Sequence, residues 1–498
     1  MEKKERRPYL TAEEERAGAA LKPLVFRVDN TTPAVVQSVL LERGWDRFDA
    51  RQQSAEGWNL YWRTPAFHMA QHANLKPWQR LNHHPGTTQL TRKDHLARHL
   101  TYMRRLYGPS LYAFSPLTFV LPADYAKFVA EYFREQQAQG GRHGCWIGKP
   151  AALSRGRGIV IFRELKDLTL NRACVVQKYI CNPLLVGRYK CDLRIYVCVT
   201  GFRPLTIYVY QEGLVRFATE KFDLGHLEND YAHLTNCSIN RSGPSYGKVK
   251  EVVGHGCKWT LSRFFSYLRS GDVDDLLLWQ KIHCVVILTV LAIAPSVPSA
   301  ANCFELFGFD ILLDDTLKPW LLEVNYSPAL SLDCSADVSV KRKLVHDIIE
   351  LVCVNGLRDA EEEVRRVERP HSAGGCAPGK AGRPGTEGAR ASSAQGPRPR
   401  PHTAGPPAAK PRPQSRQPPP AEFAPYLSLA PARTCQTETS PRVLPDPQAG
   451  NFVLVFPFNE ATLGASRNGL NVKRIIQELQ KLTSKQRSQV VKSKTKRK

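Results

Sequence analysis

Although the chain has 13 cysteines, it contains no Cys-x-x-Cys pair and no compact group of cysteine with histidine. Thiols scattered in this way argue against a zinc ribbon or a disulfide framework and favour reduced cysteines in a cytoplasmic setting. A secretory leader is also missing, because the opening Met1-Glu-Lys-Lys-Glu-Arg-Arg is charged and has no apolar core. The longest hydrophobic run, Cys284 to Ala294, is too short to span a bilayer and follows Lys281 and His283. A buried helix is expected there, and with it a soluble protein with no membrane partner. Acidic residues are scarce: 46 Asp and Glu face 70 Lys and Arg, for a net charge of +24. The imbalance points to an acidic partner, whether nucleic acid, an anionic membrane or an acidic protein. Nucleic acid is disfavoured, since the aromatics form no stacking platform beside the basic residues. There is no internal repeat. What remains is 498 residues with 42% apolar composition, more than one ordinary domain and ample for a core.

Composition and periodicity divide the chain. A charged leader covers residues 1–20. Residues 21–80 suggest a small α/β domain, with a strand at Leu24–Val28, a helix opened by Thr32-Pro33, and an aromatic strand at Glu56–Arg63. Residues 81–190 form a central domain: a basic helix from Leu90 to Tyr107 with Thr91 as its cap, a helix from Pro122 to Gln137, then short β-branched runs. Residues 191–369 form a further lobe, with helices at 276–294 and 338–368. From 370 to 447 Pro, Gly, Ala, Ser and Arg dominate, and such a stretch cannot bury enough surface to fold. A short apolar segment and a basic tail occupy 448–498. On this division the folded part ends near residue 369, and a chain cut there is expected to fold. The tail could contact an acidic partner, or serve as a nuclear signal, a loose nucleic-acid contact or only a solvated end.

The segment Phe307-Gly-Phe-Asp310 through Glu323-Val-Asn325 carries the most chemistry. It reads as two strands joined at Asp314-Asp315. Glu323 and Asn325, two apart, share a face, with Leu322 and Val324 turned to a core. A hairpin would bring Asp310 beside them. Two carboxylates and an amide oxygen make a hard-oxygen nest suited to Mg²⁺, although a polar edge hairpin explains the same residues. Upstream, an apolar strand ends at Lys149, and the loop Ser154-Arg155-Gly156-Arg157-Gly158 follows. Such a loop can offer backbone N–H groups and a lysine charge to phosphates. It is not a Walker loop, because the chain returns into a strand. Val175 to Ile180 is a strand whose end can face an adenine edge or simply pack. Lys190 and Asp192 then lie on one face of a third strand.

The order of these pieces resembles an ATP-grasp enzyme, and the motifs resemble the tubulin–tyrosine ligase-like family, most closely its tubulin polyglutamylases. The residues that carry the resemblance are Trp146-Ile-Gly-Lys-Pro, Ser154-Arg-Gly-Arg-Gly-Ile, Gln177-Lys-Tyr-Ile and Lys190-Cys-Asp-Leu-Arg. They continue with Glu212-Gly-Leu-Val-Arg-Phe-Ala-Thr, His233-Leu-Thr-Asn-Cys-Ser-Ile-Asn and Glu323-Val-Asn-Tyr-Ser-Pro. Asn82-His-His-Pro-Gly and Leu90-Thr-Arg-Lys-Asp extend it, so that it covers about residues 21 to 365. Cys191 and Cys237 depart from it, standing where aromatic residues are usual.

The resemblance implies an α+β fold with an ATP-grasp-like core, a small N-terminal α/β domain and a disordered basic C-terminal region. It implies a monomeric cytoplasmic or cytoskeletal enzyme, at a cilium or basal body in some settings. Using ATP and Mg²⁺, it would join free L-glutamate to glutamate side chains of acidic tubulin tails on microtubules, through an acyl phosphate. By the same carry-over, Lys149 and Lys190 bind phosphates, and Arg155, Gly156, Gln177, Lys178, Tyr179, Ile180, Cys191, Asp192, Thr235 and Asn236 border the nucleotide. Asp310, Glu323 and Asn325 hold the metal, and Arg216, Ser238 and Lys258 meet the incoming amino acid. Arg216 could instead be a structural salt-bridge arginine. Two alternatives stay open: a tubulin glycylase, or a catalytically weak microtubule-binding protein. The intact set Lys149, Asp192, Asp310, Glu323 and Asn325 argues against the second.

Overall fold

The computed structural model describes residues 23–168, 172–247, 253, 257–300, 302–353, 444–467 and 469–495, with side chains of the last helix described as far as 484. These all fall in one compact unit. The leader, residues 370–443 of the expected linker, and the end of the expected 338–368 helix lie outside the described residues.

Strands β1 (Val25–Val28), β2 (Asp46–Arg47), β3 (Leu60–Trp62) and β4 (Arg80–Leu81) form a parallel sheet in the order β2-β1-β3-β4. The expected α/β unit is therefore present, with the helix Ala34–Glu42 as its first crossover. A second, antiparallel sheet, β5-β8-β6-β7, comprises β5 (Thr118–Leu121), β6 (Trp146–Pro150), β7 (Val160–Phe162) and β8 (Cys174–Lys178). The basic helix runs over Lys93–Tyr107. Thr91 does not cap it, because its hydroxyl bonds Thr88 O within a preceding short turn of helix.

The third sheet is built on the long pair β10 (Tyr189–Phe202) and β11 (Leu205–Lys221). To one side lie β13 (Glu305–Leu313) and β14 (Pro319–Asn325); β9 (Leu185–Val186) pairs β10 and β12 (Lys258–Thr260) pairs β11. Both faces are covered. Leu193, Ile195, Val197 and Val199 join the core that includes the helix Asp275–Leu291. The alternate residues Tyr196 and Cys198 pack with the helices Ala34–Glu42 and Ser335–Cys353. The Asp275–Leu291 helix, extended to Ser296, has the length and composition to cross a membrane. Its Ile282, Val286 and Val290 are instead buried in this core, as expected for the 284–294 run.

The C-terminal segment overturns the expectation that the fold ends near residue 369. Strand β16 (Phe452–Phe456) pairs antiparallel with β11, and β15 (Gln448–Ala449) closes a hairpin upon it. The two-residue turn is Gly450-Asn451. Gly450 has φ +56°, and a Cβ there would collide with Asp347. Asp347 Oδ2 accepts from Asn451 N at 3.0 Å and from Tyr210 Oη at 3.1 Å, tying the hairpin to the Ser335–Cys353 helix and to β11. Helices Glu460–Arg467 and Val472–Thr495 follow, and Ile475, Ile476 and Leu479 enter the main core. This partnership spans more than 240 positions, so no local pattern announces it.

Candidate active site

Between the second and third sheets lies a cleft of about 840 Å³. Strand register sets its charges. Asp192 on β10 faces Arg216 on β11, and Arg194 on β10 faces Asp310 on β13. Residues 192 and 194 are two apart, so one face of the sheet presents alternating acids and arginines. Arg194 forks onto Asp310, with Nε–Oδ1 2.6 Å and Nη2–Oδ2 3.2 Å. Arg216 bridges the two acids, reaching Asp192 Oδ1 through Nε at 2.9 Å and Asp310 Oδ2 through Nη2 at 2.8 Å. Burial pushes the Asp310 carboxyl up, but the two guanidiniums prevail and hold it below the usual carboxylate range. Desolvation opposes the charge on Arg216, and the facing carboxylates hold its pKa well above normal. Removing Arg216 would leave buried Asp192 without its ion-pair partner while Asp310 kept Arg194, a cost of about 3–5 kcal/mol for a buried pair of this kind.

Two lysines enter the same cleft. Lys149, half-buried at the end of β6, donates to Gln177 Oε1 at 2.8 Å. Its pKa is lowered to about 8, chiefly by burial, with Lys93 adding to the shift and Glu323 and Asp310 opposing it. Lys190 is buried, and its pKa falls to about 7, again mainly by desolvation. Its ammonium is held by His233 O at 2.8 Å and Tyr179 Oη at 2.9 Å. A directed chain stands behind it. His233 Nε2 meets the carbonyl of His226 at 3.0 Å and must donate, so Nδ1 accepts from Tyr179 Oη at 2.9 Å, leaving that oxygen to accept from Lys190. Tyr179, largely buried, thus lines the cleft and positions the lysine through its hydroxyl.

The glycine loop covers one end. Arg155 (φ +61°) and Gly156 (φ +78°) make a left-handed turn, and a Cβ on Gly156 would collide with Ile239 and lie 3.1 Å from Asn236 Oδ1. Ser238 donates to Arg155 O at 3.3 Å, fastening the loop to the Cys237–Asn240 turn.

At the other end, β13 and β14 pair as expected, with Asp310 opposite Glu323 and Gly308 opposite Asn325. Asn325 Nδ2 is 3.3 Å from Asp310 Oδ2 and 3.5 Å from Glu323 Oε1, so the three side chains do converge. One detail differs. A bulge makes Ile311 pair with Leu321, leaving Leu322 as the extra residue, and Leu322 lines the cleft beside Glu323 instead of facing the core.

Of the residues singled out from sequence, Lys149, Arg155, Gly156, Gln177, Tyr179, Ile180, Lys190, Asp192, Arg216, Thr235, Asn236, Asp310 and Glu323 line this cleft. Lys178 reaches it as well, but its ammonium turns away to an ion pair with Glu135 and lies 4.9 Å over the Trp146 ring. Cys191 belongs elsewhere: on β10 it alternates with Asp192 and packs in the hydrophobic core. Lys258, opposite Arg216 on β12, is buried and held by Asp337 Oδ2 at 2.6 Å, so neither cation expected to grip the incoming amino acid is unpaired. Two further residues, not evident from the motifs, belong to the site. Lys93 lies 3.6 Å from Glu323 Oε2 and lines the cleft, and Arg194 clamps Asp310. Arg194 could have been found from its spacing, two beyond Asp192 on one strand face.

Six cationic side chains, Lys93, Lys149, Arg155, Arg157, Lys190 and Arg216, face three carboxylates, Asp192, Asp310 and Glu323, around one cleft. An excess of positive charge between two β-rich lobes, under a glycine loop, marks a nucleotide-using ligase of the ATP-grasp-like class. The family described as "Tubulin-tyrosine ligase family" matches residues 70–361. The chain belongs to the tubulin–tyrosine ligase family. It is 64% identical to "Probable tubulin polyglutamylase TTLL2" of Homo sapiens over 97% of this chain and 89% of that one. The Mus musculus protein of the same name is 59% identical over 96% and 95%. "Tubulin polyglutamylase TTLL5" of Mus musculus is 37% identical over 66% of this chain and 25% of its own length.

Proposed function

We propose that this chain is an ATP-dependent tubulin polyglutamylase acting on the acidic tails of microtubules, with free L-glutamate as donor. The observation that carries the reading is the cleft where Lys149, Lys190 and Arg216 face Asp310 and Glu323, in a chain so similar to proteins named as glutamylases. Every reactant is an anion, so catalysis amounts to charge neutralisation and alignment. In the proposed sequence an acceptor glutamate carboxylate attacks the γ-phosphorus, and ADP leaves. The amine of the donor then attacks the acyl carbon, loses a proton and expels phosphate, which carries off one acceptor oxygen.

In this reading Lys149 and Lys190 hold the phosphates and the 155–158 loop covers them. The adenine lies by the end of β8, where Ile180 makes no hydrogen bond to another described residue. Among the described residues no three His, Cys, Asp or Glu side chains cluster as a closed metal cage. The set Asp310, Glu323 and Asn325 nonetheless fits a hard cation that shares its shell with phosphates, once the Asn325 amide turns its oxygen inward. These three residues would hold Mg²⁺, which when bound offsets phosphate charge. For Arg216 and Lys258 to grip the donor they must exchange Asp192 and Asp337 for its carboxylates. The same substrate implies a cytoskeletal location, of which a cilium or basal body is one setting.

With acceptor peptide labelled by ¹⁸O in its side-chain carboxylate, one labelled oxygen should appear in released phosphate for each first glutamate joined to a labelled side chain. Label retained wholly in the peptide would rule out the acyl phosphate.

The lysine pKa values add a pH signature. Phosphate oxygens favour the ammonium form, so nucleotide binding raises both values from about 7 and about 8. Affinity is therefore greatest where both lysines are charged and falls as pH rises from about 7 through the bound-state values. Calorimetry at about pH 8, in buffers of differing ionisation enthalpy, should detect net proton uptake on binding ATP. Binding without proton uptake would mean that these lysines do not meet the phosphates.

A further inference from the structure

The reaction cleft continues. Lys93, Lys149, Gln177 and Leu322, which line it, also line a smaller cavity against the helix Lys93–Tyr107. That cavity shares Ala97, Leu100, Ser115 and Thr118 with a third, of about 1140 Å³, at the far end of the same helix. Through these shared walls the three cavities follow one another along the helix, a groove whose inner end is the Lys93–Glu323 contact at 3.6 Å. Its outer part is lined by Arg98, Arg104, Arg105 and Lys127, with Asp124 the only acid among the described residues that line it. Asp124 is paired with Lys127 at 2.9 Å and also feels the charge of Arg98, so this one acid faces two cations, while Arg98, Arg104 and Arg105 form no close ion pair among the described residues. Tyr102, 58% exposed, stands among these arginines. A basic helix face is often only a solvated face. Here the basic residues outnumber the acid beside a site for anions, and charge of one sign along a groove captures and orients a charged chain.

We infer that this groove carries the acceptor peptide, extended along the helix, with its reacting glutamate at the Lys93–Glu323 end and more distant acidic residues on Arg98, Arg104 and Arg105. The inference rests on the acidic-tail reading above and adds the path and spacing of the substrate. From Lys93 to Arg104 the helix rises about 16 Å at roughly 1.5 Å per residue. An extended peptide covers that in about five residues at roughly 3.3 Å each. Arg98, about 8 Å along, corresponds to about two residues. The groove therefore selects acceptors with acidic residues about two and about five positions from the modified glutamate.

The test is a two-by-two comparison with the full-length chain. One axis is wild type against the double variant Arg98→Glu, Arg105→Glu. The other is an acceptor peptide with acidic residues at those distances against one with glutamine there. On the acidic peptide the variant should lose about tenfold in kcat/KM, with the loss in KM, and the loss should shrink at high salt. On the glutamine peptide the two enzymes should differ little, and lysine at the same positions should favour the variant. Equal losses on both peptides, or none on the acidic one, overturn the path while leaving the ligase reading intact. Failure of the wild type to modify any peptide or microtubule overturns both.

Discussion

Ending the chain at residue 369 should leave no folded protein, whereas replacing residues 370–441 by a flexible Gly/Ser linker of about 20 residues should preserve the fold. The short chain loses Phe452, Val455, Phe456, Leu463, Ile475, Ile476 and Leu479, all buried. At about 1.5–3 kcal/mol for each apolar side chain, that loss reaches at least about 10 kcal/mol. The net stability of a domain is only about 5–15 kcal/mol. The truncation also strips β16 from β11, exposing the Ile207–Tyr210 edge to pairing with other chains. Circular dichroism melting and size-exclusion chromatography distinguish the outcomes. A cooperative transition and a monomer peak from the 369-residue chain would mean that the C-terminal strand is dispensable.

Glu323→Gln should abolish ligation, by about a hundredfold or more, while leaving the fold in place. The Glu323 side chain is 29% exposed, and its contacts are Lys93 at 3.6 Å and Asn325 at 3.5 Å, so the amide is readily accommodated. The melting temperature should stay within about 2 °C. ATP affinity should lose most of its Mg²⁺ dependence, a readout that a merely structural role would not move. Normal turnover by the folded variant would exclude Glu323 from the metal site.

The sequence made the β13–β14 hairpin legible because its signals are local. Alternation put Glu323 and Asn325 on one face, the Asp314-Asp315 turn set the pairing, and Asp310 does stand opposite Glu323. The bulge at Leu322 was not legible, since one extra residue leaves no mark in an apolar run. The cleft's lysines and glycine loop were also readable, as short motifs at strand ends. What failed was direction and distance. Cys191 alternates with Asp192 and so faces the core, while Lys178 turns to Glu135 on a neighbouring helix. The Phe452–Phe456 strand could be recognised as apolar, but its pairing with Ile207–Tyr210 depends on a partner far back in the chain.

The most direct measurement incubates the purified full-length chain with ATP, microtubules and either radiolabelled glutamate or radiolabelled glycine, followed by mass spectrometry of the tubulin tails. Glutamate should enter the tails as side-chain chains, only with ATP, and not when the tails have been removed by proteolysis. Glycine should not enter. Incorporation of glycine in place of glutamate, or binding to microtubules without any ligation, would contradict the assignment.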